Sequence, residues 1–106
     1  MRRVAAIGLA TTLAACGSVE AKNAVKDQLI DPESAQFYDV SSKNGATCGF
    51  VNSRNRMGGY AGRQAFIYEG GIAEIYSDPD AAFIEKFGSK CPNDVVLKFI
   101  QQRVGQ

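Results

Sequence analysis

The sequence contains no histidine among its 106 residues. Histidine is the side chain that titrates near neutrality, the commonest general base and a frequent metal ligand. Its absence removes the usual triads and most zinc sites. The cysteines show no Cys-x-x-Cys spacing, which a thioredoxin-like redox pair needs. Gly-x-Ser-x-Gly and Ser-x-x-Lys arrangements are missing, and no carboxylates are paired at a suggestive spacing. Asp78 and Asp80 flank Pro79, which helix capping explains. No glycine loop leads into a helix to cradle a phosphate. No block of five like charges occurs, so the basic stripe of a nucleic-acid binder is lacking. No run of 18 apolar residues is present, so no ordinary spanning helix is expected. The chain is expected to be no enzyme, to hold no metal or cofactor, and to bind no nucleic acid.

What is present suits one folded domain. The apolar fraction is 45% and the charged fraction 22%, both ordinary for a globular chain. Repeats and low-complexity tracts are absent. Arg2 and Arg3 open the chain, and Val4 to Ala15 follow without a charge, as in a secretory signal. Removing residues 1–15 leaves 10 basic against 11 acidic residues, a net charge of about −1.

Leu13-Ala14-Ala15-Cys16-Gly17 resembles the lipobox of bacterial prolipoproteins. The resemblance implies cleavage before Cys16, a diacylglycerol on its thiol and usually an acylated amine. One acyl chain holds a protein only marginally, whereas two or three hold it stably. Gly17 rather than aspartate implies sorting to the outer membrane, so the expected location is its periplasmic face. Residues 16–106 then form a small domain anchored at Cys16. Only one or two residues separate that anchor from the first helix, which holds the domain close to the lipid surface.

With Cys16 acylated, two cysteines remain, Cys48 and Cys91, in a compartment where disulfides persist. A structural bridge is expected; a loop of this length corresponds to roughly 4 kcal/mol in the chain-entropy model.

The pattern predicts a helix from Ser18, as cap, to about Ile30, with Ala21, Val25 and Leu29 on its buried side. Asp31-Pro32 stops it. Strands are expected at 36–41, 47–52, 63–68 and 72–76, with Asn44-Gly45 and Glu69-Gly70-Gly71 as turns. A helix capped at Asp78-Pro79 carries Phe83, Ile84 and Phe87 and ends at Gly88. A last helix, from about Asp94 to Arg103, turns Val95, Val96, Phe99 and Ile100 to the core. The expected fold class is α+β: a four-stranded antiparallel sheet with an N-terminal and two C-terminal helices, covered on one face, with one disulfide.

Two stretches carry a further resemblance. Leu29 to Phe37 reads L-x-D-P-x-S-A-x-F, and Cys48 to Gly62 reads C-G-x-V-N-x-x-N-x-x-G-G-Y-x-G. Together they resemble a group of small bacterial and phage-encoded proteins without an assigned activity. The resemblance spans about residues 25–70 and implies a recurrent domain, not a function.

The loop from Asn52 to Gly62 has two readings. Its asparagines and glycines suit an irregular turn held by its own side chains, with Tyr60 packed over it. Alternatively Asn52, Arg54, Asn55, Arg56, Tyr60 and Arg63 form a binding loop for an acidic or glycan-like partner. The expected role is a non-enzymatic envelope lipoprotein that binds an envelope protein or glycan. The runner-up is an inhibitor or immunity-type lipoprotein acting on a wall-degrading enzyme or phage factor.

Overall fold

The computed structural model describes residues 18–76 and 80–104. The expected signal segment, Cys16 and the Asp78-Pro79 pair lie outside these residues. Helix α1 covers 18–26, and a 3-10 turn follows at Pro32–Ser34. Strands β1 (Gln36–Lys43), β2 (Ala46–Asn52), β3 (Gln64–Glu69) and β4 (Ile72–Tyr76) form one antiparallel sheet in chain order. Helices α2 (Ala81–Lys90) and α3 (Asn93–Val104) complete the domain.

Both tight hairpins follow from local chemistry. Asn44 and Gly45 take φ of 50° and 88°, and Gly70 and Gly71 take 62° and 83°. Two successive left-handed residues match the right-handed twist of the paired strands. β1 also carries a bulge. The register slips between Tyr38 and Ser41, and Asp39 absorbs the extra residue at φ 54°. Gly49 lies beneath that bulge. A Cβ there would stand 3.1 Å from the Tyr38 carbonyl oxygen and the Val40 Cα, tighter than ordinary contact, so β1 would have to give by a few tenths of an ångström to admit one.

The sheet is covered on both faces, not one. On the first, Cys48, Phe50, Ala65 and Ile67 pack against Phe83, Phe87, Cys91, Val95 and Phe99 of α2 and α3. On the second, Val51, Phe66 and Ala73 pack against Val25 of α1. β2 is buried from Ala46 through Val51, as a strand with layers above and below must be. The bridge joins Cys48 to Cys91, whose Cα atoms are 5.7 Å apart. It ties the centre of the sheet to the junction of α2 and α3.

Several expected boundaries move. Ser18 is already helical, and α1 ends at 26, where Gln28 and Leu29 donate to the carbonyls of Val25 and Lys26 in a tightened last turn. Leu29 still packs on the second core. α2 is capped by Asp80, whose carboxylate accepts the Phe83 amide at 2.9 Å. It runs past Gly88 to Lys90, because the Cys91 amide still bonds to the Phe87 carbonyl. Ile84 and Ile100 are not core residues; they are 36% and 49% exposed, and Val96 is half-buried. With Gly88 and Phe99 they line a shallow apolar hollow between the two helices.

Candidate functional site

The two motif segments meet in space. In the first, Pro32 sets φ at the start of the 3-10 turn. The Ser34 hydroxyl donates to the Asp31 carbonyl at 2.8 Å. The same Oγ accepts the Arg54 backbone N–H, also at 2.8 Å. The Tyr60 hydroxyl reaches the Ser34 carbonyl at 3.4 Å. Ser34 is therefore the joint between the turn and the loop, although 20 residues separate it from Arg54.

The loop is a small closed structure held by its own side chains. Arg54 and Tyr60 form an isolated antiparallel bridge. Asn55 Oδ1 accepts the amides of Met57 and Gly59 at 3.0 and 3.2 Å. The Asn55 amide donates to the Gly59 carbonyl at 2.8 Å. Asn52 Oδ1 accepts the Gly62 amide at 3.0 Å, closing the base. Both asparagines are thus framework, and an exposed amide oxygen holding two backbone N–H groups stands in for a missing strand partner. Arg56, Met57 and Gly58 form the apex, where Met57 is 94% exposed.

Between the turn and the loop base lies a solvent-open groove of about 390 Å³. Its walls are Asp31, Glu33, Ser34, Gln36, Arg54 and Tyr60. The Arg54 guanidinium stands 5.6 Å from the Tyr60 ring centroid. Next to the groove, the Tyr38 hydroxyl donates to Gln36 Oε1 at 2.9 Å, and the Arg63 guanidinium stacks on the Tyr38 ring at 3.7 Å.

The six candidate residues therefore separate. Arg54 and Tyr60 share the groove, Asn52 and Asn55 build the loop, Arg56 lies at the apex, and Arg63 is committed to Tyr38. Asp31, Glu33, Ser34 and Gln36 were not anticipated as site residues. The signal for them in the sequence is the first motif, which contains Asp31 and Ser34. Two carboxylates and one guanidinium give the groove one net negative charge, not the basic patch that three nearby arginines suggest.

Among the described residues, no three His, Cys, Asp or Glu side chains are grouped to hold a metal ion. No helix among them is long and apolar enough to cross a membrane. In comparison with known proteins, the chain matches no family model, no curated protein and no solved structure.

Proposed function

We propose that the protein is a non-enzymatic lipoprotein of the bacterial envelope, acylated at Cys16, whose domain binds a glycan in the groove between residues 31–36 and the loop 53–62. The observation that carries this reading is the chemistry gathered around Ser34. An exposed tyrosine ring offers a flat face to the C–H surface of a sugar. Asp31, Glu33 and the Gln36 amide accept hydroxyl hydrogens, and Arg54 donates. A small set of convergent polar groups beside one aromatic is how pockets fix the orientation of a hydroxyl-rich ligand. The carboxylates disfavour an acidic partner and suit a neutral or amino-sugar polymer.

The inhibitor reading has less support. A basic finger entering an acidic cleft needs several free arginines; Arg63 is stacked on Tyr38 and Arg54 shares its groove with Asp31 and Glu33, which leaves Arg56 at the apex.

The test is sedimentation of the purified mature lipoprotein, in mild detergent, with insoluble cell-wall glycan. The native protein is expected in the pellet. Tyr60→Ala and Glu33→Gln, shown folded by circular dichroism, are expected largely in the supernatant. A native protein that stays in solution, or variants that pellet equally, would overturn the glycan assignment. Intact mass tests the anchor separately: acyl chains on a chain beginning at Cys16 are expected, and an unmodified Cys16 would remove it.

A further inference from the structure

The loop and the beginning of α1 lie at the same end of the molecule. The Lys22 ammonium sits 5.6 Å from the Phe37 ring. Phe37 pairs with Val51, one residue before the end of β2, where the loop starts. Six positions further along, Gln28 donates through Nε2 to the Ala73 carbonyl at 2.6 Å. Ala73 lies beside the β3–β4 turn, at the opposite end of the sheet. α1 therefore runs from the loop end toward the turn end. Ser18 lies about 6 Å further toward the loop end than Lys22, at about 1.5 Å per helical residue. Cys16 is two residues earlier, and two residues reach at most about 7 Å.

On the lipoprotein reading of Cys16, on which this inference rests, that end of the domain faces the bilayer. The most exposed large apolar side chain there is Met57, at the loop apex. Arg54 and Arg56 flank it, and the segment from Ser53 to Gly62 contains no acidic residue. Asn55 already holds the apex in shape, so little ordering is lost when it meets a surface.

We infer that the apex of the loop is a second membrane contact, with Met57 seated among the lipid headgroups and Arg56 paired with lipid phosphate. An unbranched, adaptable thioether suits a disordered headgroup layer, and arginine matches phosphate in a bidentate fork. Glu20, Asp31 and Glu33 share this end of the molecule, so charge alone does not attach it. The acyl chains supply attachment. The loop sets orientation, and it keeps the groove at its base at the level of the membrane surface.

The chain contains no tryptophan, so one introduced residue is a clean fluorescent reporter. The mature lipoprotein carrying Met57→Trp is reconstituted into phosphatidylethanolamine–phosphatidylglycerol vesicles, with and without brominated acyl chains. Ile72→Trp, at the β3–β4 turn and 67% exposed in the native residue, is the matched reporter at the far end. Both positions are exposed enough to accept the change without refolding the core. With the protein floating with the vesicles, the Met57→Trp emission is expected to shift to the blue and lose part of its intensity to brominated lipid. Ile72→Trp is expected to keep its emission. Flotation without quenching at Met57→Trp, equal quenching at both positions, or quenching at Ile72→Trp alone would overturn the inference while leaving the anchor intact. Failure to float, with no acyl mass on Cys16, would instead remove the lipoprotein reading itself.

Discussion

The face of the sheet under α2 and α3 and the loop end are held together by different physics. On the α2–α3 face, Phe50, Phe83, Phe87 and Phe99 form a contiguous aromatic cluster, with Phe87 and Phe99 4.8 Å apart between ring centroids. A disulfide fastens that cluster to β2, and Lys86–Glu74 and Lys90–Glu69 pairs flank it at 2.9 and 3.0 Å. At the loop end, side-chain oxygens of Asn52, Asn55 and Ser34 hold exposed backbone amides. Apolar burial and a covalent tie dominate the first region, and net-weak hydrogen bonds in water dominate the second. The two regions are thus held by separate means, and substitutions should separate them.

The largest expected break is at the disulfide. Cys91→Ala removes the tie and leaves Cys48 unpaired in a fully buried site. The unfolding free energy is expected to fall by about 4 kcal/mol, from the loop-closure entropy restored to the unfolded chain. Urea titration of the oxidised native protein and the variant measures it; a loss under about 1 kcal/mol would show that packing alone holds this face.

Next comes Gly49→Ala, at the join between the regions. The methyl meets the Tyr38 carbonyl oxygen and the Val40 Cα as well as Val40 Cγ2, so β1 has to give by a few tenths of an ångström. A loss of about 2 kcal/mol is expected, typical of overpacking. Unchanged thermal stability would mean that the bulge relaxes at no cost.

Asn55→Ala is expected to act in the opposite sense, changing the loop and sparing the core. The global loss should stay under about 1 kcal/mol, because water can replace the lost acceptor at an exposed site. Amide exchange at Met57 and Gly59 should quicken while Phe50 and Phe66 remain protected, which hydrogen-exchange mass spectrometry reads directly. Faster exchange throughout the sheet would contradict the separation.

The smallest effect is electrostatic. The hydrogen bond to Glu74 raises the Lys86 pKa above its ordinary 10.5, helped by nearby negative charge and opposed by slight burial. Its contribution is present below pH 10.5 and fades as the pH rises through the higher folded value. Both partners are more than a third exposed, so the effect is small. Native protein and Glu74→Gln should melt at slightly different temperatures at pH 8 and converge in stronger alkali.

Much of the fold was legible residue by residue. Asn44-Gly45 and Gly70-Gly71 marked both hairpins, since few residues other than glycine and asparagine accept that backbone cheaply. The Cys48–Cys91 bridge was expected once the lipobox resemblance set Cys16 aside from the three cysteines. The face covered by α1 was not legible, because an apolar stripe says that a helix is buried and not against what. The Gly88 helix end was misplaced because the Cys91 cap is set by a bond to Phe87 and a bridge to β2. The site was half legible. Tyr60 and Arg54 drew notice by their loop; the Asp31–Gln36 wall did not, because its partner is distant in the chain.

The sequence by itself determined the periodic elements, the two tight turns and the lack of histidine chemistry. These depend on local backbone preference, side-chain period and residue identity, which act over a few positions. Only the tertiary structure decided that the helices lie on both faces, that Gly49 must admit the bulge of β1, and that Ser34 joins the turn to the loop. Those outcomes depend on contacts between segments far apart in the chain, which form only when burying both faces of β2 offsets the entropy of bringing them together.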